Sequence, residues 1–61
     1  MAEEIDRIQD TYGGKLKVAV DGPIVKLQTT GGVAVYLGAD ERDQFAKAYA
    51  EAERRAEANH G

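Results

Sequence analysis

Apolar and polar residues alternate along three stretches of the chain. Leu16, Val18 and Val20 alternate with Lys15, Lys17 and Ala19. Val25, Leu27 and Thr29 alternate with Ile24, Lys26 and Gln28, and Val33, Val35 and Leu37 with Ala34 and Tyr36. Period-two alternation marks strands with one buried and one wet face. The pattern therefore predicts strands over about 15–20, 24–29 and 33–37, joined as an antiparallel meander. Register parity then sets the turns, because paired residues share a face. A two-residue Asp21-Gly22 loop suits a type I′ turn and pairs Val20 with Pro23, Val18 with Val25 and Leu16 with Leu27. A two-residue Gly31-Gly32 loop would set Leu27 against Tyr36 on conflicting faces. The three-residue loop Thr30-Gly31-Gly32 instead pairs Thr29 with Val33, Leu27 with Val35 and Val25 with Leu37.

From Asp40 the period changes. Phe45, Ala48, Tyr49, Ala52 and Ala56 recur at three- and four-residue spacing, which predicts one helix over about 40–58 packed on one face of the sheet. Gly38 and Ala39 offer small residues at its start, with Asp40 as the other candidate N-cap. Asp40 and Glu41 complement the helix dipole there. Asp43 precedes Lys47 by four residues, as Glu51 does Arg55, and such pairs support a helix. Residues 57–61 read as a fraying tail. Residues 3–12 admit two readings. Ile5, Ile8 and Tyr12 have helical spacing, Glu3 can reach Arg7 and Gly13-Gly14 would stop a helix, so the local pattern favours a short helix. The alternative is an extra strand over Arg7 to Tyr12 that turns at Tyr12-Gly13-Gly14. Either way the fold class is α+β, in one domain spanning 1–61.

With 61 residues the core is small, and domains of this size usually carry a staple. There is no cysteine for a disulfide or thiolate site, and His60 is the only histidine. Oligomerisation is the staple left, with Ile24, Ala34 and Tyr36 on the sheet and Ala46 and Ala50 on the helix as its candidate surface. The net charge of −3 argues against a generally cationic nucleic-acid binder. Lysines nevertheless concentrate on the outer sheet face. Lys15, Lys17, Lys26, Gln28 and Tyr36 are the candidate partner-binding residues, and with Thr30 they would also make a platform for nucleic acid.

No apolar run is long enough to span a membrane and no signal peptide is evident, which with the lack of cysteine fits the cytosol. No catalytic set assembles. His60 lies near the chain end, Glu51, Glu53 and Glu57 form a solvated flank, and Asp6 and Asp10 would face one another only on a helix. Gly13-Gly14 and Gly31-Gly32 lack the context of a phosphate loop. The expectation is a non-enzyme without metal or cofactor, acting on itself and on another protein.

Three resemblances add expectations. The order of three strands and a helix resembles the arm-binding domains of tyrosine integrases, from which this chain departs in its acidic balance and in having no arginine on the predicted face. Gly32-Val33-Ala34-Val35-Tyr36-Leu37, then a helix with Phe45, Tyr49, Ala52 and Arg54-Arg55, resembles the N-terminal oligomerisation domain of actinobacterial nucleoid silencers. That likeness implies a dimerisation or decoy role. Asp10-Thr11-Tyr12-Gly13-Gly14, a valine-rich strand, a Gly-Gly hairpin and an alanine-rich helix are similar to short actinobacterial and actinobacteriophage proteins. This implies a phage-encoded modulator or inhibitor of a host protein, and favours the strand reading of residues 7–12.

Overall fold

The structure, a computed structural model, describes residues 2–31 and 34–60. Three strands form one antiparallel sheet in the order β1-β2-β3: β1 Ala2–Gln9, β2 Lys15–Asp21 and β3 Ile24–Thr30. A single helix, α1 Ala39–His60, packs on one face. The α+β architecture agrees with the sequence pattern, but the strands that build it differ.

Residues 2–9 are a strand, which corrects the helix favoured for 3–12. The register slips between Glu4 and Asp6, leaving Ile5 as the extra residue of a bulge. A bulge lets two consecutive residues oppose one across the ladder. Ile5 and Ile8 can thus both meet the core although they are three apart. A bulged strand imitates the helical spacing.

Residues 34–38 belong to no strand, which corrects the one expected over 33–37. Gly32 and Val33 lie outside the described residues, and Thr30, expected as the first loop residue, instead ends β3 in a pair with Lys15. Val35 and Leu37 are half-buried while Ala34 and Tyr36 are exposed, so the alternation reflects an extended segment with one side inward. That segment is held to the β1–β2 turn by a hydrogen bond from Tyr36 N to Asp10. The pairs of Leu27 with Val35 and Val25 with Leu37 are not formed, and β3 is left as a sheet edge.

The β2–β3 turn is one residue later than predicted. Asp21 pairs with Ile24, Val20 with Val25, Val18 with Leu27 and Leu16 with Thr29. Gly22 and Pro23 therefore form the two-residue loop, with Gly22 at φ +61°. A type II′ turn wants glycine first, and the proline ring supplies the negative φ required next. The Asp21-Gly22 alternative would force Asp21 to positive φ and put proline into the ladder. The shift moves each partner by two residues, so every side chain keeps its predicted face.

The inner face carries Ile8, Leu16, Val18, Val20 and Val25 against Phe45, Ala48, Ala52 and Ala56 of α1, with Ile5 and Leu37 at the margin. The small alanines bring the helix backbone close to the sheet. At its start, Gly38 O accepts the first helical bond from Arg42 N at 2.8 Å, and Gly38 N donates to Glu41 Oε1 at 3.0 Å. The two bonds, the second being the glutamate half of a capping box, make Gly38 the N-cap, not Asp40. Further along, Gln44 Nε2 donates to Asp6 Oδ2 and to Arg7 O, both at 3.1 Å. Arg55 meets Glu3 of β1 at 2.7 Å as well as Glu51 on its own helix at 2.6 Å. Asn59 Nδ2 reaches Gly22 O at 3.1 Å, so α1 lies along the sheet from the β1–β2 turn to the β2–β3 turn.

Candidate functional site

Three exposed features are positioned by this fold: a pinned tyrosine pair, a cationic outer face and an open strand edge. The first depends on Asp10, which is only 5 % exposed. Its Oδ1 accepts hydrogen bonds from Tyr12 N and Gly14 N, and its Oδ2 one from Tyr36 N, all at 2.8 Å. An aspartate just ahead of a turn commonly bonds the backbone two residues on. Here the same carboxylate also ties in the segment leading to α1. The hydrogen bond from Tyr36, with those from Gly14 and Tyr12, outweighs desolvation and holds the carboxyl below its ordinary 3.8. Gly14 is required beside it, because a Cβ there would lie 2.8 Å from Ala34 O and 2.9 Å from Asp10 Oδ2. With both backbones fixed, the Tyr12 and Tyr36 rings meet edge to face at 5.3 Å yet stay 79 % and 62 % exposed.

The outer face of the sheet is read from the cross-strand rows. Arg7, Lys17 and Gln28 form one row, Gln9, Lys15 and Thr30 the next, and Glu4, Ala19 and Lys26 another. Ala19 is buried without joining the apolar core, as expected of a small residue beneath its long-chained neighbours Glu4 and Lys26. Arg7, Lys15, Lys17, Gln28 and Thr30 line a shallow depression of about 100 Å³. Arg7 bonds Glu4 at 2.9 Å, whereas Lys15, Lys17 and Lys26 have no carboxylate partner among the described residues.

The third feature is β3. Its inner-face residues are Val25, Leu27 and Thr29. Leu27 is 48 % exposed, since α1 sits mainly over β1 and β2 and the segment expected to cover β3 runs elsewhere. Ile24, on the outer face at the strand's start, is 63 % exposed. The flank of α1 away from β1 carries the stacked pair Phe45 and Tyr49, with ring centroids 5.8 Å apart.

Lys15, Lys17, Lys26 and Gln28 share the outer face as predicted, with Lys26 outside the depression. Tyr36 does not join them; its segment pairs with no strand, and its ring lies against Tyr12. The five residues expected to form an oligomer surface are all exposed but are not one patch. Ile24 is on the sheet, Ala34 and Tyr36 are in the connecting segment, and Ala46 and Ala50 lie on the helix side opposite Ala48 and Ala52. Asp6 and Asp10 do not form a cation site, because Asp10 is occupied by backbone N–H groups and Asp6 by Gln44.

Sequence reasoning missed Arg7 on the outer face and Asp10 as a hub. The strand reading of Arg7 to Tyr12 would have found the first. Asp10 two and four residues before Tyr12 and Gly14 was a readable turn signal for the second. Among the described residues no group of three His, Cys, Asp or Glu could hold a metal, and no helix is long and apolar enough to cross a membrane. Comparison with protein-family models, curated proteins and solved structures finds no match to this chain.

Proposed function

We propose that this protein is a non-enzymatic interaction module that associates with a second copy of itself through the edge of β3. The observation that carries the reading is the contrast between the two sheet edges. β1 bears Glu3, Glu4, Asp6 and Arg7 and a bulge at Ile5, the devices by which natural edges avoid pairing. On β3 the inward positions Val25, Leu27 and Thr29 are uncharged, and the edge has no bulge against β2. A two-fold interface must be self-complementary. Antiparallel pairing centred on Leu27 sets Leu27 against its counterpart, Val25 against Thr29 and Lys26 against Gln28. Centring on Lys26 would oppose two lysines.

Such a dimer has a six-stranded sheet with one helix from each copy on the same face, and it covers Leu27 and Val25. It supplies the staple that a chain of 61 residues without cysteine otherwise lacks. In this reading the protein works in the cytosol. The likeness to short actinobacteriophage proteins supports a host protein as second partner, with the Tyr12–Tyr36 corner as the surface that meets it. Light scattering across a dilution series tests self-association. Wild type is expected at twice 6.6 kDa and Leu27→Glu at the monomer mass, its circular dichroism still that of a folded α+β domain. A wild type that remains monomeric at high concentration contradicts the reading.

A further inference from the structure

We infer that the outer-face depression binds the phosphate backbone of duplex nucleic acid without regard to sequence. Its lining draws three cations, Arg7, Lys15 and Lys17, and no carboxylate, from a chain whose 11 acids outnumber its 8 lysines and arginines. Placing these cations together opposes the global charge. They stand on two neighbouring strands in rows two residues, or about 7 Å, apart. Gln28 and Thr30 on the third strand add neutral hydrogen-bonding groups suited to phosphate and sugar oxygens.

The remaining outer-face positions in the paired rows are Ala2, Glu4, Gln9, Ala19, Asp21, Ile24 and Lys26, so no aromatic side chain from those rows is available to stack an unpaired base. Binding of single strands relies on such stacking, whereas a duplex offers dense backbone charge with its bases already stacked. Lys15 and Lys17 have no ion pair to break among the described residues, which leaves them available to phosphate. The contact is independent of the β3 edge, because the depression is complete within one copy.

The test is fluorescence anisotropy of a mixed-sequence duplex of about 20 base pairs, titrated with the full chain from about 20 to 200 mM salt. Arg7 is held by Glu4, so the two unpaired lysines neutralise two phosphates and give a slope of log K against log salt of about −2 per copy. Lys17→Gln is expected to weaken binding and reduce the slope by about 1. Lys47→Gln on α1 should change neither, since Lys47 is paired with Asp43 away from the sheet. Absence of binding at the lowest salt overturns the inference. So do an equal effect of the two substitutions and tighter binding of the matching single strand than of the duplex.

Discussion

Asp10 joins two parts of the chain that the sequence separates: the β1–β2 turn, through Tyr12 and Gly14, and the segment before α1, through Tyr36. Its three backbone donors favour the charged form, so its folded-state pKa lies below the ordinary 3.8. A group of this kind contributes stability above the unfolded-state value, and that contribution is lost as pH falls through the folded-state value. Asp10→Asn puts an amide donor where a carboxylate oxygen accepts from N–H. Urea denaturation is expected to show the variant less stable than wild type at pH 7. The gap should persist down to about pH 3.8 and narrow below it. A gap that stays constant into strong acid would show that the carboxylate charge is not what holds the turn.

Among the elements, β1 is where sequence pattern and fold diverge most. Ile5 and Ile8 are spaced as on a helix, and only the bulge reconciles that spacing with a strand. Ile8 is fully buried between β2 and α1. If β1 is integral to the core, Ile8→Val should cost about 0.5–1.5 kcal/mol in urea unfolding, as removal of one buried methylene does. A neutral result would mean that β1 is peripheral. The α+β class, β2, β3 and α1 were legible because their periodicities are regular and their faces consistent. Two features besides β1 were not legible, for physical reasons. The turn at Gly22-Pro23 depends on a choice between two loop positions that give the same faces, decided by proline's missing N–H and the φ of Asp21. The path of 34–38 depends on Asp10, a long-range contact that period-two alternation cannot reveal. The lysines of the outer face were readable because parity survives both errors. Tyr36 was misplaced because its segment leaves the sheet.

Across the whole molecule, the two faces and the two edges of the sheet are unequal. α1 covers the inner face over β1 and β2, the outer face concentrates cations, one edge is charged and bulged, and the other is open, unbulged and uncharged at its inward positions. The proposed β3–β3 contact follows from that last inequality. Its most direct test is site-specific crosslinking, made simple because the chain has no cysteine of its own. In the antiparallel register centred on residue 27, the two Cα atoms are about 4.5–5.5 Å apart, within the range a disulfide spans. Under mild oxidation Leu27→Cys should convert to covalent dimer, while Ala46→Cys on the exposed side of α1 should stay largely monomeric. Crosslinking of Leu27→Cys no faster than of Ala46→Cys would contradict association through β3.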